Sequence, residues 1–211
     1  MKNFLLILLS ILIFSNLNAQ RRDTTQTKER DAIATKSLRE ILPSINQKNI
    51  AYFGFSSIED AENAVLEKPF QVFLMPIDML KNYTPNTPFS AMLQPTNRYL
   101  YPILNNRTRK VTNAMGVDKV SNNWRVVNYG RSKSSINMAM ALSNGNIARY
   151  FIITIPAFNL DFVSYYEGAN LIMVPVMTDP QNKLEGGKAY NARQVIGTYA
   201  QLARNYNGLP M

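Results

Sequence analysis

The stretch Arg149–Met177 reads RYFIITIP (149–156), AFNLDFVSYYEG (157–168) and ANLIMVPVM (169–177). The outer pieces are nearly unbroken apolar runs, set apart by Pro156 and Gly168. Both are short, and the first is rich in β-branched and aromatic residues, so both are predicted as strands buried on two faces. Pro175 within the second calls for a bulge or an edge position. In the middle piece Phe158, Phe162 and Tyr165/Tyr166 recur at helical spacing and stop at a glycine, which predicts a helix. Two buried strands joined by such a crossover are expected to run parallel.

Toward the C-terminus, Thr178–Lys188 is a polar loop. Ala192, Val195, Ile196, Tyr199, Leu202, Ala203 and Tyr206 then form one apolar stripe, so a helix is predicted over 189–206, closed by Gly208. Toward the N-terminus, Ser134–Leu142 (SSINMAMAL) is helical in composition. Residues 98–129 read as a meander of three antiparallel strands, RYLYPIL, RKVTNAMGV and NNWRVVNYG, with Asn105-Asn106 and Ser121-Asn122-Asn123 as turns. Pro102 places an edge or a bulge in the first. Earlier still, Asp31–Leu42 is expected to be a helix, with Ile33, Leu38, Ile41 and Leu42 inward. Asn49–Phe55 is a strand, Ser56 with Glu59 caps a helix running to Leu66, and Phe70–Pro76 is a strand. Ile77–Tyr83 makes a turn or two of helix, and the proline-rich 84–95 is a loop. The expected fold class is α+β: a mixed, mainly antiparallel sheet covered by helices, with the long C-terminal helix packed on it.

The first 19 residues have the layout of a signal peptide: Lys2, an apolar run Phe4–Phe14, then a short polar segment ending at Ala19. The run is short for a membrane span, and no later run approaches the roughly 18 residues a span needs. The expectation is export to the periplasm or beyond, a polar tail over 20–30 and one α+β domain over 31–211, with sub-lobes 31–130 and 131–211 as the alternative division. The tail contains Asp23-Thr24-Thr25, a short match to a bacterial O-glycosylation acceptor.

The chain has neither Cys nor His. Disulfides, thiol nucleophiles, Ser-His-Asp triads and the usual zinc sites are therefore excluded. No S-x-x-K, G-x-S-x-G, phosphate-loop or dinucleotide motif is present, so no cofactor is expected. Carboxylate pairs remain. Asp161 and Glu167 would flank the expected middle helix, and Asp179 and Glu185 occupy the following loop; a glycosidase needs two carboxyls about 5–10 Å apart. That loop, with Asp179, Asn182 and Glu185, departs from the EF-hand pattern.

The net charge of +9 is concentrated in one segment: residues 97–133 hold eight Lys and Arg against one acidic residue. Arg98, Arg107, Arg109, Lys110, Lys119, Arg125, Arg131 and Lys133 are interleaved there with Tyr99, Tyr101, Trp124 and Tyr129. A sheet face that is both cationic and aromatic could bind an anionic polymer or an envelope component. The candidate ligand residues are Arg98, Tyr99, Arg107, Arg109, Lys110, Trp124, Arg125, Arg131 and Lys133. No specific nucleic-acid motif accompanies them. The ordinary reading is that the cations are solvated and Trp124 is core.

Gly54, Phe55, Glu59 and Ala61, then Pro69, Phe70, Val72 and Phe73, then Tyr101, Pro102 and Ile103, and later Trp124, follow a spaced pattern. On these residues the segment 50–130 resembles uncharacterised secreted proteins of Bacteroidetes-type bacteria. The resemblance implies shared packing and brings no assigned function. The sequence is thus read as a secreted, non-enzymatic binding module, with a carboxylate-dependent glycan hydrolase or a structural subunit of an extracellular assembly as alternatives.

Overall fold

A computed structural model describes residues 25–206. The expected signal peptide, residues 20–24 of the polar tail and Gly208 lie outside them. Among the described residues no helix is long and apolar enough to cross a membrane.

The chain builds one nine-stranded sheet in the order β5-β4-β3-β2-β6-β7-β8-β9, with β1 paired beside β3. The strands are β1 (Ala64–Leu66), β2 (Phe70–Leu74), β3 (Gln94–Asn105), β4 (Val111–Val120), β5 (Asn123–Tyr129), β6 (Tyr150–Ile155), β7 (Leu160–Glu167), β8 (Asn170–Pro175) and β9 (Tyr190–Asn191). Every pairing is antiparallel except one: β2 runs parallel to β6, with Val72 opposite Ile152 and Leu74 opposite Thr154. The α+β class and the mainly antiparallel mixed sheet are as expected.

The deciding stretch folds differently from its prediction. Residues 160–167 form strand β7 and not a helix, so β6, β7 and β8 are a plain antiparallel meander. Strands β6 and β8 both pair with β7 and not with each other. Glu167 faces Asn170 across a two-residue turn in which Gly168 takes φ +60°, a conformation glycine adopts without strain. Phe162, Val163 and Ser164 are all buried. A strand covered on both faces loses its period-2 signature, and its aromatics fell by chance at helical spacing.

Three other expectations are corrected. NIAYFGF (49–55) is a series of turns, because Asn49 Oδ1 accepts the Asn46 N–H at 2.7 Å and closes the chain locally. Gly54, at φ +79°, lies where a Cβ would come within 3.1 Å of the Gly130 Cα. The next helix is short, Ile58–Glu62, and its cap is Ser57, whose Oγ accepts the Asp60 N–H at 3.1 Å; Ser56 is one residue too early. The chain then extends as β1, where Val65 opposes Leu104. The first helix, α1, already spans residues 25–41, so the polar segment 25–30 is helical. We number the short helix Ile58–Glu62 α2, and the remaining helices are α3 (Ile77–Lys81), α4 (Phe89–Met92), α5 (Lys133–Ser143) and α6 (Ala192–Arg204).

Alternation along the strands divides the core. Val72, Leu100, Ala114, Ile152, Val163 and Val174 point to one face and pack on Ile136 and Ala139 of α5. The opposite face is shared. Tyr101, Ile103, Met115, Val117 and Trp124 lie beneath Ala34 and Leu38 of α1. Ile153, Phe162 and Met173 lie beneath Val195, Ile196 and Tyr199 of α6. The result is a helix–sheet–helix arrangement. Pro102 fits inside β3 at the gap where that strand's second neighbour changes from β2 to β1; its carbonyl takes the Glu67 N–H at 3.0 Å.

Two glycines give a stability test of opposite signs. A Cβ on Gly116 would meet the Asn128 side chain at 2.6 Å. Gly116→Ala should therefore lower stability by about 1–3 kcal/mol through overpacking. At Gly197, in α6, a Cβ would meet nothing within 4 Å. Gly197→Ala should raise stability by roughly 0.5–1 kcal/mol. Urea denaturation midpoints check both; equal effects would contradict this packing.

Candidate functional site

The α5 side of the sheet is only partly covered. An 11-residue helix is roughly 16 Å long, whereas a 12-residue strand such as β3 reaches about 40 Å. The N-terminal turn of α5 stops at the level of Asp161, whose Oδ2 accepts from Ser135 Oγ at 3.0 Å and whose Oδ1 accepts from Thr154 Oγ1 at 2.7 Å. Beyond that turn the sheet is open. A cleft of about 530 Å³ forms there over Val72, Leu74, Thr96, Arg98 and Thr154, walled by Asn97, Asp118, Lys119, Pro156 and Asn159. It lies past the carboxyl ends of the two parallel strands, β2 and β6, the place where open sheets with parallel strands hold ligands.

The polar groups of the cleft are already organised. Arg98 grips Asp118 in a two-pronged pair, Nε to Oδ1 at 2.9 Å and Nη2 to Oδ2 at 2.8 Å. That hydrogen bonding raises the Arg98 pKa against the effect of burial, and the charges of Asp118 and Asp161 add to it. Arg125 stands opposite Asp118 in the register, so an Arg–Asp–Arg row crosses β3, β4 and β5 on this face. Thr96 Oγ1 is spent on the Val72 carbonyl at 2.5 Å. The arrangement offers planar donors, amides and hydroxyls over an aliphatic floor.

The sequence-predicted cationic and aromatic face is not assembled as one surface. Arg98 and Arg125 lie on the α5 side, but Tyr99 and Trp124 point to the other face, under α1. Trp124 is 7% exposed and its ring meets Tyr99 edge-on at 5.8 Å, which is a core role. Arg107 and Arg109 sit in the β3–β4 turn at the far end of the sheet, paired with Glu59 at 3.4 Å and Glu67 at 2.7 Å. Lys110 and Arg131 are exposed, and Lys133 opens α5. The one acidic residue of the segment, Asp118, is bound to Arg98, so the local excess of positive charge is spread over separate regions.

One aromatic–cation contact was invisible to the sequence reading because it uses a residue assigned to the tail. Arg30 of α1 is 7% exposed and stacks on the Tyr99 ring at 3.9 Å. Its Nε donates to Tyr101 Oη at 2.7 Å, and its Nη2 to Asp31 Oδ1 at 2.8 Å; Tyr101 in turn donates to Asp31. Burial lowers the Arg30 pKa, but Asp31 and Tyr101 more than offset this, while burial and the Asp31 hydrogen bond push Tyr101 well above an ordinary phenol. This triad fastens α1 to the sheet.

The carboxylates predicted as catalytic pairs are separated. Asp161 and Glu167 stand at opposite ends of β7, six residues and so roughly 20 Å apart, beyond the span of a glycosidase pair. Asp179 is bound by Tyr199 Oη at 2.6 Å and by Asn182, whereas Glu185 is exposed beside Lys188 at 3.8 Å. Among the described residues no acidic group of three or more is placed to hold a metal ion.

No family model, no curated protein and no solved structure matches this chain.

Replacing Arg30 with Met should cost about 1–3 kcal/mol, because it strips Tyr101 and Asp31 of a partly buried charged donor. Arg107→Ala, which breaks a pair whose partners are 71% and 68% exposed, should change stability by less than about 0.5 kcal/mol. Denaturation midpoints of the two variants check the ranking, and a reversed order would contradict it.

Proposed function

We propose that this chain is an exported, non-enzymatic binding module that seats a segment of an acidic envelope glycan in the cleft beside the N-terminus of α5. The carrying observation is the concavity itself: an open floor of Val72, Leu74 and Thr96 beneath the Arg98–Asp118 pair, at the carboxyl ends of β2 and β6. Sugar hydroxyls exchange hydrogen bonds with planar Arg–Asp pairs and amides such as Asn97 and Asn159. The charged side chains on this face are Arg98 and Arg125 against Asp118 and Asp161, while Lys119 stands over Trp124 on the opposite face; Arg125 is exposed and forms no ion pair among the described residues, which leaves a guanidinium for the carboxylate of an acidic sugar. The lack of Cys and His, and the engagement of Asp118 and Asp161 by hydrogen bonds, support holding over hydrolysis.

Titration calorimetry with tri-galacturonate tests the reading. The Arg98→Ala, Arg125→Ala double variant should bind at least about ten-fold more weakly, consistent with lost charged hydrogen bonds. The Arg107→Ala, Arg109→Ala, Lys110→Ala variant should bind within about two-fold of the unaltered protein, since its groups lie at the far end of the sheet. Loss of binding in the triple variant with retention in the double one would move the site to the β3–β4 turn. Heat consistent with no binding to the unaltered protein would reject this ligand class.

A further inference from the structure

A second pocket lies on the other side of the β6–β7 connection. It has a volume of about 450 Å³ and is bounded by Phe158, Tyr199 and Tyr206, with Asp179, Gln181 and Asn182 supplying its polar wall. The Phe158 ring lies 5.3 Å from Tyr199 and 6.0 Å from Tyr206, the second contact edge-on at 71°. Phe158 and Tyr206 are half-buried and present ring surface to the pocket.

Asp179 is the one charged side chain lining this pocket, in a chain of net charge +9. It forms no ion pair among the described residues. Of the neighbouring cations, Arg193 donates to the Pro85 carbonyl, Arg204 to the carbonyls of Lys81 and Tyr83, and Lys188 pairs with Glu185, while Lys183 of the same turn is exposed and does not pair with Asp179. The carboxylate is instead positioned by neutral donors, Tyr199 Oη at 2.6 Å, Asn182 Nδ2 at 2.7 Å and the Asn182 N–H at 3.2 Å. Burial alone would raise the Asp179 pKa, but these donors bring it below the ordinary carboxylate value, so the group stays ionised.

A fixed, unneutralised carboxylate beside half-buried aromatic rings has the chemistry that recognises an organic cation: the carboxylate attracts the charge and the ring faces replace its water. A structural latch alone would account for the Tyr199 hydrogen bond but not for an open aromatic pocket in front of it. We propose that the pocket formed by Phe158, Tyr206 and Asp179 is a binding site for an alkylammonium or guanidinium group. This site is independent of the glycan cleft, although Pro156 and Asn159 border both.

The test is an amide-shift titration of the ¹⁵N-labelled protein with choline, with agmatine, and with 3,3-dimethylbutan-1-ol, the uncharged analogue of choline. Saturable shifts at Phe158, Asn182 and Tyr199 are expected with at least one cation, and at least about ten-fold weaker binding of the alcohol. Choline in preference to agmatine identifies a quaternary-ammonium site, and the reverse a site for a hydrogen-bonding cation, the primary ammonium or the guanidinium that agmatine carries. Asp179→Asn should weaken cation binding by about ten-fold or more, and Phe158→Leu should weaken it with the carboxylate left in place. Equal binding of the alcohol, unchanged affinity in Asp179→Asn, or no saturable shift with either cation would each overturn the proposal. The cation–alcohol comparison decides on the unaltered protein even if Asp179→Asn fails to fold.

Discussion

Three residue pairs, Val72–Ile152, Phe73–Ile153 and Leu74–Thr154, join the two halves of this protein. On one side of that seam lies the meander β3–β4–β5, with β1 and β2 along β3. On the other lies β6–β7–β8 with β9. Within each half the neighbours are antiparallel, and β3–β4–β5 and β6–β7–β8 are joined by short local connections. The seam joins strands about 80 residues apart and is the sheet's one parallel contact. A parallel pair has to be covered on both faces, and here Val72 and Ile152 lie under α5 while Ile153 packs toward α6. The seam also fixes the cleft, because β2 and β6 end together while α5 stops short of them. The sheet is continuous across the division at residue 130.

Charge in this chain serves structure before recognition. The segment with eight cations and one acid looked like a binding face, yet Arg107 and Arg109 reach back to Glu59 and Glu67, acids from a different part of the chain. Arg98 takes the segment's own Asp118. Arg30, the most buried arginine among the described residues, belongs to none of this and holds α1 to the sheet through Tyr99 and Tyr101. Such partners are set by folding and cannot be counted from a local net charge. At the cleft the Arg98–Asp118–Arg125 row is set among hydrogen-bonding groups instead of a broad basic surface.

Elements with a clear period were legible in the sequence. The α6 stripe, the β3–β4–β5 meander with its turn at Ser121-Asn122, and β2 and β6 follow their residue patterns. Strand β7 was not legible because both its faces are covered, so Phe162, Val163 and Ser164 are all inside and the alternation vanishes. NIAYFGF has the composition of a strand, but Asn49 closes it into turns. The tail looked solvated because Arg30 is flanked in sequence by Glu29 and Asp31; its aromatic partners, Tyr99 and Tyr101, lie about 70 residues away. Of the candidate site, Arg98 and Arg125 were named and do share a face. Thr96, Asp118, Thr154 and Asn159 carried no signal, since what gathers them is the seam and a helix shorter than the strands beneath it. Tyr99 and Trp124 were assigned to the right strands, but their direction depends on which face α1 covers.

Native-state hydrogen exchange measures the seam most directly. If it joins the halves into one cooperative unit, the amides of Val72, Phe73, Ile152 and Ile153 exchange only by global unfolding, with the same opening free energy as core amides of β4 and β7. Separate opening free energies for β4 and β7, with the seam amides exchanging at a lower free energy than either, would show two independent lobes and contradict the structure described.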